Sequence, residues 1–89
     1  YGPDKRGIIY GISNVLAENN INIVDIEQNV IHGLFVMFIV ADISKSKISL
    51  EELEKRLKEV GKNLGVEVHV SKFEKPKSKE KNLYVITVL

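Results

Sequence analysis

The sequence predicts an α+β fold, two helices on one face of a four-stranded antiparallel sheet, in chain order α-β-β-α-β-β. Three observations carry it. Two stretches repeat apolar residues at spacings of three and four, the period of an amphipathic helix. Four others follow the two-residue period of strands. Of those four, two are apolar on both faces and two on only one, which is the composition of central and edge strands.

The elements follow in order. Tyr1 to Gly7 is turn chemistry, with Asp4 placed to cap a helix that runs to about Glu18. Ile8, Ile12, Val15 and Leu16 share one face of that helix. Gly11 beside them is either a close approach to another backbone or a tolerated weak position. Asn19-Asn20 ends the helix, because Asn accepts the left-handed conformation. A strand over Ile21–Val30 alternates Val24, Ile26 and Val30 with Asp25, Glu27 and Asn29, so one face is wet. His32-Gly33 is a tight hairpin turn. Leu34–Ala41 is apolar throughout, and a polar loop over Asp42–Lys47 follows. Ser49 and Glu52 have capping-box spacing for a second helix to about Asn63, with Gly65 as its stop. Val66–Lys72 is a strand with Val66, Val68 and Val70 inward. Residues 74–81 read as a charged linker, and Leu83–Leu89 as a strand apolar on both sides.

This order is a rotation of the ferredoxin-like βαββαβ sandwich. Taking Leu83–Leu89 as the first strand makes it and Leu34–Ala41 the central pair, which are the two doubly apolar strands. Circular permutation accounts for this order, as do strand exchange with a neighbouring molecule and excision from tandem modules. Residues 1–89 are expected to form one domain, with 74–81 joining the rotated strand to the rest.

Composition excludes several function classes. Thirteen Lys and Arg against twelve Asp and Glu give a net charge of +1, with no clustered positive field for nucleic acid. There is no cysteine, hence no disulfide, thiolate metal site or Cys nucleophile. His32 and His69 have no partner at metal-ligand spacing, and no cofactor motif is present. The longest apolar run is too short to cross a bilayer. A non-enzymatic cytoplasmic protein is expected, and the Tyr1 start points to a processed, trimmed or engineered chain.

In rotated order the sequence becomes NLYVITVL, GPDKRGIIYGISNVLAENNINIVDIEQ, HGLFVMFIV and SLEELEKRLKEVGKNLGVEVHV. It resembles the ACT domain, and most closely the small stand-alone ACT proteins of unsettled function. The most specific features are the Gly2-x-Asp4-x-x-Gly7 turn and the Leu16-Ala17-Glu18-x-x-Ile21-Asn22-Ile23 junction. Two departures stand out: Lys5-Arg6-Gly7 replaces the Arg-Pro-Gly of many members, and the chain break falls beside the turn. The resemblance implies a regulatory module that binds a small molecule, often an amino acid, between modules. It implies contacts from Asp4, Lys5, Arg6, Gly7 and Asn22. Helix-terminal N–H groups suit a carboxylate, and Asn22 both donates and accepts. Asp4 also reads as a plain helix cap, and Asn22 as a strand-start residue satisfying its own backbone.

The sheet face away from the helices is expected to expose Phe35, Met37 and Ile39 beside Tyr84, Ile86 and Val88. A patch of that size predicts a homo-oligomer, most simply a dimer. Three other readings share the fold: an engineered or permuted scaffold without a ligand, an acylphosphatase-like hydrolase using Arg6, and an RNA-binding sheet using Tyr84, Phe35 and Phe38.

Overall fold

A computed structural model of the chain describes residues 5–74 and 82–89. The cap expected at Asp4 and linker residues 75–81 lie outside the described residues. The elements are α1 (Lys5–Glu18), β1 (Asn22–Ile31), β2 (Leu34–Asp42), α2 (Leu50–Leu64), β3 (Val68–Lys72) and β4 (Leu83–Val88). The sheet order is β1-β2-β4-β3, and every neighbouring pair is antiparallel. β4 fills the slot between β2 and β3 from within the chain, so reading from β4 reproduces the ferredoxin-like βαββαβ order.

Local chemistry sets the helix ends. Asn20 takes the left-handed conformation (φ 59°), and the Ile21 N–H returns to the Leu16 carbonyl at 3.0 Å. Ser49 caps α2 by accepting the Glu52 N–H at 3.1 Å, while Glu52 turns its carboxylate to Arg56 at 3.1 Å. Gly65 is left-handed, and the Val66 N–H donates to the Gly61 carbonyl at 2.8 Å. That bond ties Val66 to the helix cap, so β3 begins at Val68 rather than at Val66 as expected. The ladder still extends past β3, since Glu67 and Leu89 exchange N–H···O bonds of 3.0 and 2.9 Å.

The core lies between the helices and one face of the sheet. Ile8, Ile12 and Leu16 of α1 and Leu53 and Leu57 of α2 cover Met37, Ile39, Ala41, Val68, Ile86 and Val88. Two glycines let the layers close. A Cβ at Gly11 would meet Leu64 Cδ1 at 2.9 Å and Val60 Cγ1 at 3.2 Å, so close helix–helix approach is the reason for that glycine. A Cβ at Gly61 would meet Val68 Cγ2 at 2.6 Å and the Val66 carbonyl oxygen at 3.0 Å.

Two expectations are corrected. Met37, Ile39 and Ile86 are 0% exposed and sit in the core under the helices, not on the open face. Phe35 and Tyr84 lie on that same helix-facing side and are half-buried, because Phe35 has the parity of Met37 and Tyr84 pairs with Ala41. The reason is that β2 and β4 are apolar on both sides, so alternation alone does not say which side the helices cover. The open face carries Val36, Phe38 and Val40 of β2 and Val85 and Thr87 of β4.

The second correction concerns β1. A register shift between Ile23 and Asp25 puts Val24 in a bulge, where it is exposed. Ile26 and Val30 do point to the helix side, opposite Ile39 and Phe35, yet they too are exposed. As the edge strand, β1 reaches beyond the cover of the helices.

Candidate functional site

The residues expected to contact a ligand fall into two groups at opposite ends of the sandwich. Lys5, Arg6 and Gly7 form the first turn of α1, and Asn22 follows its far end. A 14-residue helix at about 1.5 Å per residue separates them by roughly 20 Å. The structure therefore does not bring Lys5, Arg6 and Gly7 together with Asn22.

At the first end, Lys5 Nζ lies 5.7 Å from the centroid of the Phe35 ring, a cation–π distance. It borders a small cleft of about 290 Å³ whose walls include Leu34, Phe35, Val66 and Leu89. The cleft is mainly apolar, with the Lys5 ammonium at its rim.

At the second end, antiparallel pairing sets Asn22 directly opposite Asp42. These two residues, with Asn20, Ser44 and Lys45, line a polar cleft of about 460 Å³ over Ala17 and Ile21. Asn20 reaches across in its left-handed conformation and donates from Nδ2 to the Lys45 carbonyl at 3.2 Å. Asp42 Oδ1 accepts the Ser44 N–H at 2.9 Å. That bond, the Ser44 hydroxyl and the nearby Lys45 charge hold the Asp42 carboxyl below its ordinary range, outweighing a small opposing effect of burial. Asp42 is thus an anion at neutral pH. Among the described residues no ion pair joins it to Lys45. The cleft holds a carboxylate, an ammonium and two carboxamides, a set that suits a small dipolar molecule.

Sequence reasoning found Asn22 but not Asn20, Asp42, Ser44 or Lys45 as its neighbours. The available signal was the Asp42-x-Ser44 spacing, in which a carboxylate takes the backbone N–H two residues on.

Behind the cleft, Asn19 is buried and ties three elements together. Its Nδ2 donates to the Val15 carbonyl (2.8 Å), its backbone carbonyl accepts the Lys47 N–H (2.9 Å), and Arg56 donates to its Oδ1 (3.2 Å). The loop after β2 is thereby linked to both helices.

The other candidate groups take surface positions. His32 sits in the hairpin turn, and exposed His69 lies 3.5 Å from Glu67. Among the described residues no cluster of three or more His, Cys, Asp or Glu could hold a metal ion. Among those residues, too, no helix is long and apolar enough to cross a membrane. Of the aromatics an RNA-binding sheet would use, only Phe38 lies on the open face, since Phe35 and Tyr84 point to the helices.

Comparison with known proteins places the chain in a family. The chain is 49% identical over 69 residues to a UPF0237 protein of Pyrobaculum aerophilum, covering 78% of this chain and 77% of that protein. A UPF0237 protein of Methanocaldococcus jannaschii gives the same identity and coverage. One from Listeria monocytogenes is 41% identical over 73 residues, covering 82% of each. No solved structure matches. The model of the ACT domain matches residues 1–71, a span that holds both helices and stops short of β4. On the strength of that match and these relatives, the chain belongs to the ACT-domain family.

Proposed function

We propose that the chain is a regulatory, non-catalytic module of the cytoplasm that takes an amino acid or a similar small zwitterion in the cleft beside Asn22. The observation that carries this reading is the pairing of Asn22 with Asp42 across from Lys45. Asp42 receives an ammonium group, Lys45 a carboxylate, and the carboxamides of Asn20 and Asn22 orient the ligand between them. Lys5, Arg6 and Gly7, at the other end of α1, take no part in that cleft.

Regulation follows from where the cleft is anchored. A ligand that draws Ser44 and Lys45 inward pulls on the loop that Asn20 and Asn19 hold. Arg56 passes that pull to α2, and Asp42 passes it along β2. The module reports binding by changing how it associates with further copies of itself.

Isothermal calorimetry of the chain against the standard amino acids tests this. Heat is expected with a restricted subset. Asn22→Ala and Asp42→Asn should each weaken binding about tenfold, the loss of one hydrogen bond to a charged group, while Lys5→Ala leaves it unchanged. Heat with none of them, or heat indifferent to Asn22 and Asp42, would turn the reading toward a scaffold without a ligand.

A further inference from the structure

We infer that the open face of the sheet is a docking surface for a basic amphipathic helix of a partner protein, whose apolar side covers Phe38 and whose cations meet the acidic margins of the face. This goes beyond the amino-acid reading, and neither depends on the other.

Strand register builds the surface. Antiparallel pairing sets Glu27, Phe38, Thr87 and His69 in one row across the four strands. In the adjoining row Asp25 pairs with Val40, and Val40 with Val85. Phe38 at the centre stands 45% exposed, although a ring of that size gains from burial. Beside it a cleft of about 460 Å³, with Ile31 and Val36 in its wall, offers a recess for an apolar side chain.

The charge around this stripe has one sign. Asp25 and Glu27 stand exposed on the β1 margin, and Glu67, which extends the ladder beside β3, stands exposed on the other. The four strands hold a single Lys or Arg, Lys72, and it pairs with Tyr84 on the helix side. A chain of net charge +1 thus turns carboxylates, and no strand Lys or Arg, toward the open side. This decides the occupant. A second copy laid face to face would set carboxylates near carboxylates, with only His69 to answer them. Nucleic acid and an anionic lipid surface would both be repelled. A cationic partner with an apolar stripe matches both properties at once.

The dimensions suit a helix. The β1 and β3 margins lie three strand spacings apart, about 14 Å, and a helix with its side chains is about 10–12 Å across. One lying along β2 and β4 therefore fits between the margins, with long basic side chains reaching outward from its flanks. Along β1, Asp25 and Glu27 are about 7 Å apart, close to the rise of about 6 Å between helix positions i and i+4. Two cations at that spacing meet both carboxylates. A face of this size supports a transient contact rather than a permanent one, so micromolar affinity is expected.

Fluorescence anisotropy on the full chain tests this with a fluorescein-labelled amphipathic peptide of leucine and lysine, about 18 residues long so that it holds a helix. Its counterpart carries glutamate in place of lysine. The basic peptide should bind with a micromolar dissociation constant and the acidic one should not bind. Phe38→Ala should weaken binding at least about tenfold, as expected of a residue at the centre of an interface. Glu27→Lys should weaken it about five- to tenfold, whereas Glu59→Lys, the same charge change on an exposed position of α2, should stay within about twofold. All three positions lie outside the core, so the variants should keep the circular dichroism spectrum of the wild type. Asn22→Ala should bind the peptide as the wild type does, which keeps this result separate from that of the amino-acid cleft. A basic peptide that binds no better than the acidic one overturns the proposal. So does binding indifferent to Phe38→Ala, or weakened as much by Glu59→Lys as by Glu27→Lys. Sedimentation velocity supplies a further refutation: a chain that dimerises at the concentrations of the assay, and is made monomeric by Phe38→Ala, holds a second copy on this face instead.

Discussion

Gly61→Ala sets two effects of known sign against each other. Replacing a glycine in a helix interior by alanine stabilises by about 1 kcal/mol through propensity alone. At Gly61 the added methyl would lie 2.6 Å from Val68 Cγ2 and 3.0 Å from the Val66 carbonyl oxygen. The Val66 oxygen is backbone, and Val66 itself is fastened to the helix cap by its 2.8 Å bond to Gly61. Relief therefore requires α2 to move off β3, an overpacking cost of about 1–3 kcal/mol that falls toward its upper end here. The net expectation is a loss of about 1–2 kcal/mol. At about 4–8 °C per kcal/mol for a domain of this size, the melting temperature drops by about 4–16 °C. Gly11→Ala is the internal control. Its nearest neighbours are the ends of Leu64 and Val60 side chains, which can rotate away, so its net change should stay within about 1 kcal/mol of zero. Thermal unfolding followed by circular dichroism at one protein concentration reads both. A Gly61→Ala chain that melts at or above the wild type would refute the close packing of α2 on β3.

Two further predictions concern the cleft and its support. Asn19→Leu should destabilise by about 1–3 kcal/mol, because the Val15 carbonyl loses the Asn19 Nδ2 donor and the Arg56 guanidinium loses an acceptor; chemical denaturation measures it. Asp42 has a folded-state pKa below its ordinary 3.8, so its contribution is present above that value and is lost as pH falls through the folded value. The stability difference between wild type and Asp42→Asn should therefore be constant near neutrality and shrink on acidification below 3.8, with urea titrations across that range as the measurement. A difference that grows toward acid would reverse the assigned sign.

Much of the fold is legible in the residues, for reasons that can be named. The Ser49 cap, the leucine spacing of α2 and the Gly65 stop all act within one helix, so local sequence states them completely. The central places of β2 and β4 are legible because only a strand covered on both faces gains from being apolar on both. That same property hides which side is which. Met37 and Phe38 look alike in sequence, and only the packing of α1 and α2 puts one in the core and the other in the open. The bulge at Val24 is equally silent, since an apolar residue in an alternating run looks inward until the ladder is seen. Asn22 was visible from its junction. Its partners were not, because Asp42 comes to it through strand pairing across twenty positions of chain.

The central place of β4 bears on how the molecule assembles. β1 and β2 are joined by a two-residue turn and zip together locally. β3, by contrast, touches the rest of the sheet only through β4. Until β4 docks, β2 presents an unpaired flank lined by Met37 and Ile39, a ready template for a strand of another molecule. Pairing of β2 with β4 spans more than forty positions of chain, so its closure is expected to be slower than the local β1–β2 hairpin. Concentrated refolding should therefore be more hazardous for this chain than its small size suggests.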